Sequence, residues 1–133
     1  MALKPIQSTF SGALGMQLFS QAWVPPGPVR AGLALVHGYG EHSDRYGYLV
    51  EALTARGYAV SAFDHRGHGR SPGLRGHIDQ WDEFLEDVRA SLAAAREQIG
   101  QRPLFLFGHS MGGLIALNYA IRSPQGLSGI IAS

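Results

Sequence analysis

The chain has 133 residues and a formal net charge of +1, with 45% of its residues hydrophobic and 16% charged. That is enough for one compact domain with a hydrophobic core, and the basic residues are scattered rather than gathered into the patch that nucleic acid requires. There is no cysteine, which excludes a disulfide scaffold and a thiolate metal site.

No apolar run approaches the length of a membrane span. The opening "MALKPIQSTFSG" has no apolar core of signal-peptide length, so a cytoplasmic protein is expected, with contact at a membrane surface left open.

Two modest strand candidates come first, "QSTFS" and "MQLFSQAWV", separated by Gly12 and Gly15 as in a hairpin. After the loop "PPGP", the run "AGLALV" from Ala31 to Val36 reads as a strand buried on both faces, ending at His37-Gly38. In "SDRYGYLVEALTARG", Tyr46, Leu49, Val50 and Leu53 repeat at helical spacing. Ser43 or Asp44 is expected to cap that helix, and Gly57 to end it.

"YAVSAF", Tyr58 to Phe63, is the next strand, and Asp64 opens a glycine-rich loop running to Gly76. Trp81, Phe84, Leu85, Val88, Leu92, Ala95 and Ile99 then share one face of a long amphipathic helix. "PLFLF", residues 103–107, gives a further buried strand. The helix "MGGLIALNYAIR" follows, with Leu114, Leu117 and Ile121 at i, i+3, i+7 and an end before Pro124. "LSGIIAS" is a last apolar strand. This alternation predicts an α/β fold, a mostly parallel sheet with crossover helices and an N-terminal antiparallel hairpin, in one domain over residues 1–133.

Gly108-His109-Ser110-Met111-Gly112 fits G-x-S-x-G. In a chain with 18 glycines, chance alone supplies about 0.2 matches to that pattern, so the context carries the weight. The motif stands where a buried strand ends and a helix begins, the setting of a nucleophile elbow. Glycines flank the serine because Cβ atoms there would crowd so tight a turn. The serine Oγ would stand at the carboxyl edge of the sheet, where open α/β sheets bind ligands. The Met111 N–H lies at the helix N-terminus, placed to meet an oxyanion. The second donor of such a hole comes from the loop after an earlier strand, and "LVHGYGEHSDRY" supplies Tyr39 there. His37, fixed beside Gly38, reads as a loop-shaping residue rather than a base.

"HGYGEHSDRY", "FDHRGHGRSPG" and "FGHSMGG" occur in this order with the intervening helices. Together they resemble the monoacylglycerol lipase and lysophospholipase branch of the α/β-hydrolases, over nearly the whole chain from about Met16 to Ser133. The resemblance implies that Ser110 is the acylated nucleophile and that Tyr39 and Met111 form the oxyanion hole. It implies hydrolysis of a lipid-type carboxylic ester through an acyl-enzyme, with no metal and no cofactor. A peptidase or non-lipid esterase on the same scaffold is the nearer alternative.

The triad of these enzymes runs Ser, then Asp or Glu, then His. After Ser110 this sequence has no Asp, Glu or His, and its one charged residue there is Arg122. It therefore reads as the N-terminal half of such a fold, with lid, later strands, acid and base absent, and nearly inactive alone.

The final strand would be an unpaired sheet edge, suited to a second copy or to a chain bearing the missing half. That leaves a non-catalytic truncated half-domain as the alternative from another class. His65 and His68 lie at the same sheet edge as Ser110, where they read either as a substitute base or as part of a turn ordered by Asp64, Gly67 and Gly69. Asp64-His65-Arg66-Gly67-His68 fixes no third ligand for zinc. Neither a dinucleotide fingerprint nor a P-loop is present.

Overall fold

The computed structural model describes residues 2–133. Six strands form one sheet: β1 (Ile6–Ser11), β2 (Gln17–Trp23), β3 (Ala31–Val36), β4 (Tyr58–Phe63), β5 (Leu104–Gly108) and β6 (Gly129–Ala132). Three α-helices accompany them, α1 (Gly47–Thr54), α2 (Trp81–Ile99) and α3 (Met111–Arg122).

The strand order is β1-β2-β4-β3-β5-β6. The hairpin β1–β2 is antiparallel and β2 runs antiparallel to β4, while β4, β3, β5 and β6 are mutually parallel. The sequence expectation of a parallel sheet led by an antiparallel hairpin therefore holds.

All six residues of β3 are buried, as its unbroken apolar run requires for a strand covered on both faces. The crossover β3–α1–β4 runs outward and β4–α2–β5 runs back across β3. Right-handed connections then put α1 and α2 on opposite faces. The main core lies on the α2 and α3 side, where Phe84, Val88, Ala95 and Ile99 of α2 meet Ala34, Val36, Leu104, Leu106 and Ile115.

Two local expectations are corrected. Ser43 and Asp44 do not cap α1: a 3-10 turn over Ser43–Tyr46 precedes the helix, and Tyr46 at the N-cap makes no side-chain capping bond. Those two side chains are recruited elsewhere, by Gln21 Nε2 at 2.8 and 2.7 Å.

Leu114, Leu117 and Ile121 are not the buried stripe of α3 but its exposed face. The face against the sheet is Gly112, Gly113, Ile115, Ala116 and Tyr119. Glycine and alanine let the helix backbone approach the strands where a leucine would hold it away.

Candidate active site

β5 ends at Gly108, α3 begins at Met111, and Ser110 takes φ 57° and ψ −123° between them. For a residue with a Cβ this is a strained backbone, of the kind held only where the surroundings over-determine it. The surroundings are specific. A Cβ on Gly108 would overlap the Gly112 carbonyl, and one on Gly112 would overlap the carbonyls of Val36 and His37. Glycine at both positions is thus dictated by backbone contact among β3, β5 and the first turn of α3.

The N–H groups around the elbow divide into two sets. Those of Ser110, Gly112, Gly113 and Leu114 are donated to backbone carbonyls. Among the described residues neither the Met111 N–H nor the Tyr39 N–H has an acceptor. The loop bearing Tyr39 lies against the elbow: a Cβ on Gly38 would stand 3.3 Å from Ser110 Cβ and 3.2 Å from His109 O.

Glu41 braces that loop. Its Oε1 accepts the Gly38 N–H at 2.8 Å and the Tyr46 hydroxyl at 2.6 Å. Burial pushes the Glu41 carboxyl up, but the hydrogen bonds from Tyr46 and Gly38, with His109 and His37 nearby, outweigh it and leave the group below the usual carboxylate range. Burial and the Glu41 charge both raise the Tyr46 phenol.

Beneath the loop three histidine rings pack together, His37 edge to face with His65 at 4.3 Å between centroids and tilted against His68 at 5.4 Å. His37 Nδ1–H donates to Gly38 O at 2.7 Å, and its Nε2 accepts the His65 N–H at 3.0 Å. His65 Nε2–H donates to His37 O at 2.8 Å, and His68 Nδ1–H to Arg66 O at 3.0 Å. His37 and His65 thus each spend their one proton on a backbone carbonyl, and His65 Nδ1 and His68 Nε2 have no partner.

Burial lowers His37 to about 4, against a smaller upward pull from its bond to Gly38. It drives His65 well below the ordinary histidine range, with His37 adding to the effect. The structure therefore brings His65 and His68 into a buried turn. Asp64 orders it by accepting the Ser43 N–H at 2.7 Å and the Arg70 N–H at 2.9 Å. Among the described residues Ser110 Oγ has no hydrogen-bond partner, and no group of three or more metal-ligating side chains is placed to hold an ion.

The residue pairs that sequence reasoning missed are Glu41 with Tyr46 and Arg66 with Asp87. A signal existed for the second: Asp87 lies among Phe84, Val88 and Ser91 on the buried face of α2, and a carboxylate there demands a partner. Nothing in a loop glutamate signals the first.

A family model described as serine aminopeptidase, S33, a hydrolase family, matches residues 27–133. The chain belongs to this family of α/β-hydrolases. Among similar proteins, the monoacylglycerol lipase of Mycolicibacterium smegmatis is 38% identical over 127 residues, covering 96% of this chain and 45% of the relative. Human monoglyceride lipase is 38% identical over 117 residues, 88% of this chain and 39% of the relative.

Among solved structures, a thermostable carboxyl esterase from Bacillus coagulans superposes with a TM-score of 0.87 at 32% identity. It covers 98% of this chain and 44% of its own. The monoacylglycerol lipase of Paleococcus ferrophilus gives 0.75 at 42% identity, over 89% of this chain and 43% of its own. This family member spans less than half the length of the curated relatives it matches, and the match is to their N-terminal part. No helix among its described residues is long and apolar enough to cross a membrane.

Proposed function

We propose that Ser110 is the nucleophile of a lipid-type carboxylic ester hydrolase acting on a monoacylglycerol or lysophospholipid. The observation that carries this is the strained Ser110 backbone at the tip of a strand-to-helix elbow, beside two N–H groups with no acceptor. In this reading Ser110 Oγ attacks the ester carbonyl, and its proton passes to a base. The Tyr39 and Met111 N–H groups receive the oxyanion. Collapse of the tetrahedral species breaks the bond to the leaving alkoxide, which takes up that proton. Water then hydrolyses the acyl-serine, and no cofactor takes part.

The acid and base belong to polypeptide outside these 133 residues, since no Asp, Glu or His follows Ser110 and His65 and His68 hold their protons on buried carbonyls. β6 pairs with β5 along one side. Its other edge is where we place the complementary half, or a second copy of the chain.

The test is turnover by the chain together with a complementary C-terminal half, on a monoacylglycerol, a lysophospholipid and an aminoacyl anilide. Hydrolysis of the first two that falls at least about 10³-fold in Ser110→Ala supports the reading. Preference for the anilide assigns a peptidase instead, the activity that the family description favours.

A further inference from the structure

Leu14 stands in the β1–β2 turn with φ 56° and ψ 25°, a left-handed conformation that its Cβ disfavours. Its side chain is 90% exposed, so the leucine strains the backbone and packs against almost nothing within the chain. The turn beneath it is rigid. The Ala13 N–H donates to Asp87 Oδ1 at 2.8 Å, Arg66 Nη2 donates to Ala13 O at 2.9 Å, and the Gly12 N–H donates to Met16 O at 2.8 Å.

Leu74, 74% exposed, projects from the loop between β4 and α2. The two loops touch, since a Cβ on Gly73 would lie 3.6 Å from Met16 Cε. Two neighbouring loops from distant parts of the chain thus each present an exposed leucine.

The edge they share is the one that carries Ser110. The register Ser20↔Phe63 sets the β1–β2 turn off the carboxyl end of β4, and Ser110 leaves the carboxyl end of the parallel β5. Three strand spacings separate β2 from β5, ~14 Å across the sheet. Tyr39, 63% exposed with its hydroxyl on Gly76 O at 3.2 Å, continues the apolar row toward the serine.

Arg75 flanks Leu74. Its guanidinium donates to the carbonyls of Gly69, Ser71 and Gly73, and among the described residues it has no carboxylate partner. Its charge is uncompensated and complements a phosphate headgroup. Apolar tips beside such a cation match a lipid–water interface, with the side chains below the headgroups and the guanidinium at their level.

We propose that Leu14 and Leu74 insert into a phospholipid surface, with Arg75 at the lipid phosphates, and so hold the Ser110 edge toward the lipid. The inference rests on the lipid-ester reading, but vesicle binding is read without catalysis. A chain that binds vesicles yet, with the complementary half supplied, turns over only the anilide fails that reading and leaves this one standing.

The experiment is sedimentation of the 133-residue chain with phosphatidylcholine–phosphatidylglycerol vesicles. The chain is expected to partition onto the vesicles. Leu14→Asp with Leu74→Asp is expected to weaken that by about 100-fold, tenfold for each leucine. Leu14→Gly relieves the backbone, so it is expected to unfold at an equal or higher temperature while binding vesicles several-fold more weakly. That variant keeps the test open if the double substitution fails to fold. Arg75→Gln is expected to weaken binding to these vesicles more than to phosphatidylcholine alone. Leu117→Asp with Ile121→Asp, on the exposed face of α3, is expected to leave binding unchanged.

Absence of vesicle binding by the parent chain overturns the proposal. So does equal binding by the Leu14 and Leu74 variants, loss caused by the α3 pair, or a dimer that disperses on substituting Leu14 while vesicles are ignored.

Discussion

The Asp87 carboxylate, fully buried on α2, receives Arg66 through Nε at 2.7 Å and Nη2 at 2.9 Å and also accepts the Ala13 N–H at 2.8 Å. One side chain thereby ties the loop after β4 and the turn of the hairpin to the first half of α2. The hydrogen bond to Asp87, opposed by burial but aided by the charges of Asp87 and Glu83, holds the Arg66 guanidinium above its ordinary range. Removing one member of such a pair strands the other in the interior. Asp87→Ala is expected to cost about 3–5 kcal/mol in urea unfolding, and Asp87→Asn less, because its amide oxygen still accepts one bond. A cost under about 1 kcal/mol for Asp87→Ala would show that the loop is held by other means.

Substitutions at the elbow are expected to have opposite signs. Gly108→Ala and Gly112→Ala put a Cβ into backbone carbonyls and are expected to cost about 3 kcal/mol or more. Ser110→Gly removes the Cβ from a backbone at φ 57° and is expected to stabilise the chain by about 1 kcal/mol. Thermal unfolding of the three variants checks both. A destabilised Ser110→Gly would mean that the serine backbone is unstrained.

Stability is expected to fall with acid. His37 and His65 are neutral and buried, and burial lowers both in the folded chain, His37 to about 4 from the unfolded 6.5. Below pH 6.5 the unfolded chain binds protons that the folded chain refuses, so stability is full above pH 6.5 and declines as pH drops toward 4. For His37 the decline is about 1.5 kcal/mol between pH 6.5 and 5, and His65 adds to it in the same direction. Glu41, lowered in the folded state, contributes stability above its unfolded 4.5 that is lost below it, in the same direction. Urea unfolding at pH 7 and pH 5 measures the histidine part, and equal midpoints would contradict it.

Glu41 and Tyr46 are expected to act as a unit. Glu41→Ala leaves the buried Gly38 N–H and the Tyr46 hydroxyl without their shared acceptor, a loss of about 1–3 kcal/mol. Tyr46→Phe removes one bond, and the double-mutant cycle should give a coupling of about 1 kcal/mol. Additive losses would place the brace of the Tyr39 loop elsewhere.

Most of the fold is legible in the sequence because burial writes itself into period and length. The all-apolar β3 and the α2 stripe from Phe84 to Ile99 could be read directly, and the glycines on either side of Ser110 mark its turn. The buried face of α3 was not legible. Glycine and alanine carry no apolar signal, and the leucines that do carry one are exposed. The capping of α1 was lost to a competition no local rule contains: Gln21, from a strand 22 residues earlier in the chain, takes the Ser43 and Asp44 side chains. For the site, Ser110 announces itself by motif and context. The brace from Glu41 and the buried histidine cluster depend on long-range packing and emerge only from coordinates.

Ser110 is proposed as a nucleophile whose acid and base lie outside these 133 residues. Intact-mass spectrometry with peptide mapping, after exposure to a fluorophosphonate, tests it most directly. The chain is treated alone and with the C-terminal half of the Mycolicibacterium smegmatis relative supplied as a second polypeptide. No stoichiometric adduct is expected within minutes on the chain alone, and one adduct, on Ser110, is expected when the second half is present. Stoichiometric labelling of the isolated chain within minutes, or an adduct on any other residue of it in the complemented sample, would contradict it.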